Sequence, residues 1–434
     1  PHYFFHAPLA CFDAPITTMA FAVGYAYWKS LRSARWGIMC GVVFGIALGV
    51  KHNAWLMPFF LGGHYLWMRR KDLLARGARR LPRIPLAFVS MLVLGPTLFF
   101  LHWPWLWHHP VERTRSYVRR HLEHEHYNFE YLGRNFNQPP TTAARKWLRA
   151  TAPFVETGLT VPVTTLVLAA VGAGVLARRR RGEPVQPGGE DEGAVADRPS
   201  WLRPGADVDR APGAFVLFQT LGPLAVLAVP STPVFGGVKH FLAAMPYLAL
   251  SAGVGLTALS RAAAAAWPPA GQGVRRAAPL VLAGLVCLPA IVETQRSHPD
   301  GLGHYNLLAG GFAGGASLGM NRQFWGYAVL PMLPDLDART PENRALYWHD
   351  VLPDAISMYK RDGRLSLGVG DTGFGEDGIR RSQLGILFYE KHWAKYEAWF
   401  WETYGTTRPV HVRAREGVPM VTLYDRRPGA AGSR

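Results

Sequence analysis

Residues 1–28 read PHYFFHAPLACFDAPITTMAFAVGYAYW. From Ile16 to Trp28 the run is apolar and aromatic enough to form the body of a membrane helix, and one acid, Asp13, stands at its mouth just before Ala14 and Pro15. An acid in that place is costly to keep without a partner, which marks it as a functional position. Asp13 also has a structural reading, as the cap of the helix, with Pro15 in the first turn where its missing N–H costs nothing. The two readings are compatible.

Working outward, the 434 residues are 49% hydrophobic and only 18% charged, and the apolar residues cluster in long runs instead of alternating. Long apolar runs broken by basic loops predict a polytopic membrane protein. The formal charge of +17 comes largely from arginines clustered beside apolar runs, which fits membrane topology and anionic lipid headgroups and excludes nucleic acid as the expected partner. The three cysteines, Cys11, Cys40 and Cys287, have no CxxC spacing, so they suggest neither a disulfide framework nor a cysteine zinc site.

Four basic clusters order the chain: Lys29 with Arg32 and Arg35, Arg69 to Arg83, Arg178 to Arg181, and Arg261 with Arg275 and Arg276. Placed together on the cytoplasmic side, they pair off the apolar blocks between them. The block Trp36 to Met68 would be about 50 Å long as one helix against a hydrocarbon core of roughly 30 Å, so a turn is expected at Lys51-His52-Asn53. Further spans are expected near 84–102, 159–177, 212–230, 241–260 and 277–294. The fold class this implies is an all-α polytopic membrane protein of about eight transmembrane helices with a small C-terminal α/β extracytoplasmic domain and both ends outside. Residues 1–294 form the transmembrane domain, with an external loop at 103–157 and a flexible cytoplasmic linker at 182–213, and residues 295–434 form the C-terminal domain. Gly41, Gly45 and Gly49, at four-residue steps, predict close helix packing. In the tail, Leu384 to Trp401 reads as a helix dense in aromatics, and Pro409 to Asp425 as a hairpin turning near Glu416-Gly417.

Polar chemistry collects on the outer side. The long external loop opens with an interfacial belt of Trp103, Trp105 and Trp107. Val111, Val118 and Leu122 then fall on one face of a basic helix suited to lie on a membrane surface. His121, His124 and His126 stand with Glu123 and Glu125 in a six-residue run. Imidazole and carboxylate are apt ligands for a divalent metal, with His124 and His126 the candidates, although HLEHEH lacks the HExxH register and also reads as a solvated polar loop. Lys51-His52 and Lys239-His240 mark two outer turns where compact charge at headgroup depth suits a lipid-linked phosphate, or where lysines merely snorkel. GGFAGG lacks the Lys-Ser/Thr of a phosphate-binding loop, so no nucleotide cofactor is expected.

Taken in order, PHYFFHAPLACFDAPITT, GVVFGIALGVKHNAWLMP, HEHYNFEYLGRNFNQPP, FGGVKHFLAAMPYLAL, HPDGLGHYNLLAGG with a later FWG, and WETYGTTRPVHVRAREGVPMVTLYD resemble the bacterial polyprenyl-phosphate-sugar-dependent glycosyltransferases of the membrane-embedded C-fold class. That group includes protein O-mannosyltransferases and the lipid A aminoarabinose transferase. The resemblance implies a multi-pass protein of the bacterial inner membrane whose active face and C-terminal domain are periplasmic. Its reaction would be transfer of a sugar from a polyprenyl phosphate, with inversion, to a protein, lipid or glycan acceptor. It makes Asp13 the catalytic candidate and His6, Lys51, His52, Tyr127, Lys239, His240, Tyr305 and Asn306 the expected substrate contacts. Two departures stand out: Lys239 occupies a place where many relatives have arginine, and Asn321-Arg322-Gln323-Phe324-Trp325 lacks the acid often found before the aromatic pair. The chain begins with proline, and the resemblance places a further acid in a first outer loop ahead of it. The expectation is therefore that an N-terminal span and the catalytic base belong to a longer protein, and that residues 1–434 alone do not turn over. A secondary transporter and a non-catalytic envelope scaffold are the alternatives. Against a transporter, the sequence shows no inverted repeat and no charge at midspan.

Overall fold

The computed structural model describes residues 1–9, 11–75, 84–178, 211–234, 236–266, 272–323, 325–340, 344–348, 353–366 and 368–426. The expected linker at 182–213 lies outside these, apart from its last three residues, as do 76–83 and 179–181 of the basic clusters.

The N-terminal body is helical. A short α1 (His2–His6) leads to α2 (Asp13–Ser30) and α3 (Ala34–Val50); Lys51 then turns the chain in extended conformation into a 3-10 turn, His52–Leu56, that runs into α4 (Met57–Ala75). Next come α5 (Leu86–His102), the surface helix α6 (Pro110–Leu122), a minimal hairpin of β1 (Glu130–Tyr131) and β2 (Arg134–Asn135), α7 (Ala143–Thr160), α8 (Val163–Arg178) and α9 (Pro212–Ala228). A 3-10 segment, Gly237–Ala244, continues into α10 (Met245–Ala266), and α11 (Gln272–Ser297) closes the helical part. Small residues allow the close crossings: a Cβ at Gly41 would stand 2.6 Å from the carbonyl oxygen of Ser90 on α5, whereas at Gly49 the nearest atom is 3.9 Å away.

The expectation of about eight membrane spans is overturned. Among the described residues two helical runs, Gly237–Ala266 and Ala277–Ser297, are long and apolar enough to cross a membrane, or three if α7 and α8, bent by 113° at their junction, count as one. The cause is length and composition. Helices α3, α5 and α9 are apolar but each has 17 residues, about 26 Å against a core of roughly 30 Å. In α4 the apolar stretch gives way to Arg69, Arg70 and Lys71 before it is long enough. Apolar runs outnumber crossings because turns cut those runs short.

The C-terminal part places α12 (Gly311–Ser317) and α13 (Leu333–Ala338) before a five-stranded sheet. Its strands are β3 (Ala345–Trp348), β4 (Gly370–Asp371), β5 (Leu384–Phe388), β6 (His411–Arg415) and β7 (Val418–Asp425), with α14 (Pro353–Arg361), α15 (Gly375–Arg381) and α16 (Ala394–Tyr404) between them. The order is β4-β3-β5-β7-β6, with β3 parallel to both its neighbours and β7 antiparallel to β5 and β6. The β6–β7 turn falls at Glu416-Gly417, as the sequence predicts. The expected helix at Leu384 to Trp401 is corrected: Leu384–Phe388 is the central strand, and helix begins only with the 3-10 turn Lys391–Trp393 that runs into α16. A strand buried on both faces shows no alternation, so it looks like a buried helical run. Sheet and helical body are joined through Asp300, just beyond α11, whose two carboxylate oxygens accept hydrogen bonds from Arg413 and Arg415 on β6. Asp300 is buried in this contact.

Candidate functional site

Asp13 is the first residue of α2 and is buried; its main-chain oxygen accepts from Thr17 Oγ1 at 2.8 Å. A carboxylate in the first turn faces the positive end of the helix dipole. Lys51 leaves α3 in extended conformation, and its Nζ donates to Asp13 Oδ1 at 2.6 Å. Lys239 reaches the same place from the 3-10 segment Gly237–Ala244, which is entered through two left-handed glycines, Gly236 (φ +63°) and Gly237 (φ +62°). A side chain at either position would be strained, so this turn requires glycine. The Lys239 ammonium is buried and electrostatically coupled to Asp13, Lys51 and Cys11, and it lies 4.4 Å from the centroid of the Trp325 ring.

His6 stands edge-on to Trp325, with ring centroids 5.9 Å apart. Burial lowers its pKa to about 4, with Lys239 and Lys51 adding to the effect and Asp13 opposing it, so it is neutral near pH 7. His52 and His121 stack at 4.1 Å, and Tyr117 meets the edge of His121 at 4.4 Å. Burial, followed by the neighbouring His121, lowers His52 to about 4.

These groups share one cavity of about 850 Å³. Asp13, Lys51, His52, His121, His124, Lys239 and His240 supply its charged and imidazole lining, and Ile16, Trp55, Phe60, Phe99, Leu106, Val226 and Tyr247 are among its many apolar walls. Helix α6 forms one side with Thr114, Tyr117, Val118, His121 and Leu122. No residue of α6 is buried, and Val111 and Leu122 are exposed, as expected of a helix lying at an interface.

Of the residues singled out in the sequence, Asp13, Lys51, His52, His124, Lys239 and His240 therefore come together, and His6 backs them. Tyr127 is half exposed, edge-on to His124 at 6.0 Å, and does not line the cavity; nor does His126. Tyr305 and Asn306 are structural. The Tyr305 hydroxyl donates to the Asn321 carbonyl, while Asn306 Nδ2 donates to the carbonyls of Gly158 and Val161 and its Oδ1 accepts from the backbone of Leu308. Tyr117 and Trp325 were not legible as site residues: one sits inside an amphipathic helix pattern, and the other belongs to the FWG motif with no role attached.

For a metal, His124 and His126 do not fall in one donor group. Among the described residues the geometry instead gathers His6 with Cys11 and Asp13, and Glu130 with Glu390 and His392. At the first group Asp13 already faces two ammonium ions, so its charge is balanced without a divalent cation. Comparison with protein families, curated proteins and solved structures returns no match.

Proposed function

We propose that the chain transfers a sugar from a polyprenyl-phosphate carrier to a hydroxyl acceptor at the surface of a bacterial membrane. The observation that carries this reading is the cavity itself, in which two ammonium groups and one carboxylate meet at a polar corner of a space otherwise walled by apolar side chains. Lys51 and Lys239 against Asp13 leave a formal charge of plus one, the complement of one phosphodiester. At about 850 Å³ the cavity has the size of a small-molecule site, so it holds the phosphate, the sugar and the first part of the prenyl chain. The rest of the chain runs out past α6 into lipid. Helix α11 supports membrane residence: the 18-residue apolar window within Ala277–Ser297 buries none of its residues, with Leu280, Leu285 and Ile291 each more than half exposed.

In the proposed step Asp13, in place of the further acid that the resemblance puts ahead of Pro1, takes the proton of the acceptor hydroxyl as that oxygen attacks the anomeric carbon from the face opposite the phosphate. The bond from the anomeric carbon to the phosphate oxygen breaks, and its electron pair stays with the phosphate, where Lys51 and Lys239 stabilise the added charge. One bond forms, one breaks, and the configuration inverts. The C-terminal sheet, on the same side, offers the surface to which an acceptor comes.

The test is transfer of radiolabelled hexose or aminopentose from a long-chain polyprenyl phosphate by the full chain in membranes, beside equilibrium binding of the polyprenyl phosphate alone. Asp13→Asn is expected to bind the lipid phosphate at least as tightly, because it removes the one negative charge, while transfer falls by about two to four orders of magnitude. Donor binding without any transfer by the wild-type chain would put the base outside residues 1–434. Failure to bind the lipid phosphate would overturn the reading.

A further inference from the structure

Trp325 has a backbone conformation that tryptophan seldom adopts, with φ at +68°, and Gly326 follows at +62°. A bulky residue in the left-handed region is held there by what surrounds it, and such positions gather at functional sites. The Asn321 carbonyl accepts from the Tyr305 hydroxyl at 2.9 Å, and Asn321 Oδ1 accepts the Glu130 N–H at 2.7 Å. Arg322 donates to the Pro419 carbonyl at 3.2 Å and Gln323 Nε2 to the Met420 carbonyl at 2.9 Å, both on β7. The segment just before Trp325 is thus pinned to the β1 hairpin on one side and to the sheet on the other.

What this fixes is the indole ring. It lies under the Lys239 ammonium at 4.4 Å and meets His6 at its edge, yet it is not part of the cavity wall. Lysine is a point charge on a flexible four-carbon stem, so its position in a cavity must be imposed from outside. An aromatic face does so through its negative quadrupole, most strongly when the cation is desolvated, as the buried Lys239 is.

We infer that Trp325 is a positioning residue for Lys239, through which the C-terminal sheet sets where that ammonium stands in the cavity. The inference rests on the proposed donor site for its purpose, but the contact itself can be tested apart from it. Trp325 touches no donor; it acts on the cation that does.

Two readouts separate the possibilities. The first is the rate at which an amine-reactive reagent labels Lys239, followed by mass spectrometry with Lys391 as internal reference. Trp325→Leu, which keeps bulk and loses the ring, is expected to raise that rate about five- to thirty-fold, and Trp325→Phe to stay within about threefold of wild type. Should Trp325→Leu fail to fold, Gln323→Ala leaves the ring in place but frees its segment from Met420, and is also expected to expose Lys239 to faster labelling. The second readout is polyprenyl-phosphate-sugar kinetics, in which Trp325→Leu should raise KM by the same five- to thirty-fold factor and change kcat by less than about threefold. Unchanged labelling of Lys239 in both Trp325→Leu and Gln323→Ala overturns the inference. Faster labelling in a chain that binds no polyprenyl phosphate leaves the coupling standing and overturns the donor reading instead.

Discussion

Replacing Asp13 by asparagine should destabilise the protein more than replacing its partner Lys51 by methionine, and the reason lies in the count of charges at the site. The Asp13 side chain is 6% exposed and that of Lys51 18%, so the pair is largely out of water. Breaking such a pair from one side costs about 3–5 kcal/mol when the remaining charge is left alone. Asp13→Asn removes the carboxylate that Lys51 and Lys239 both face and raises the formal charge of the polar corner from plus one to plus two; allowing for the partial exposure of Lys51, the expected loss is about 2–4 kcal/mol. Lys51→Met leaves Asp13 still facing Lys239, so the charge count falls to zero and the loss should be only about 1–2 kcal/mol. The double variant removes one charge of each sign and should recover about 1–3 kcal/mol relative to Asp13→Asn. The assay is denaturant unfolding of the full chain in a non-ionic detergent, with the four proteins compared at pH 7.5. If Lys51→Met is as damaging as Asp13→Asn, or if the double variant is no more stable than Asp13→Asn, Lys239 does not share the carboxylate and the account of the site fails.

Acid should weaken the fold between about pH 6.5 and 4. Burial holds His6, His52 and His392 down to about 4 and His304 to about 3, from an ordinary value of 6.5. Below 6.5 the unfolded chain therefore binds protons at these histidines that the folded one refuses, so their contribution is full above that pH and is lost as pH drops towards 4, by about 1–3 kcal/mol per histidine. Melting temperature measured from pH 7.5 to 4.5 should show this fall, with a shallower slope in His392→Asn; a flat profile would contradict it. At the α3–α5 crossing, Gly41→Val places a Cβ 2.5 Å from that of Ser90 and should cost about 1–3 kcal/mol, whereas Gly49→Ala, with nothing nearer than 3.9 Å, should be neutral by the same unfolding assay.

The features legible in the sequence were those written in local chemistry. The Lys51-His52-Asn53 turn could be read from the length of its apolar block, the Glu416-Gly417 hairpin from its turn residues, and Asp13 from its place at a helix mouth. Three charged residues chosen separately, Asp13, Lys51 and Lys239, share one cavity. Misreadings arose where meaning depends on neighbours. Nothing in LGILF shows that β3 and β7 will flank it, and the difference between an apolar run of 17 residues and a crossing of the membrane lies in where each helix stops. Tyr305 and Asn306 are polar residues in the motif HPDGLGHYNLLAGG, but the backbone carbonyls of Gly158, Val161 and Asn321 claim them. Trp325 acquires its role only from a backbone turn that no residue pattern announces.

The grip of Arg413 and Arg415 on Asp300 has a mechanical consequence. The two guanidiniums stand on alternate residues of β6, hence on one face of the strand, and they hold both oxygens of a carboxylate only a few residues beyond the end of α11. This attachment leaves little slack between the end of α11 and the sheet, so a displacement of the helix end is carried as a pull on the sheet edge. From β6 it passes to β7, whose Pro419 and Met420 carbonyls hold the segment that places Trp325. The position of α11 thereby becomes a mechanical input to the lysine in the cavity.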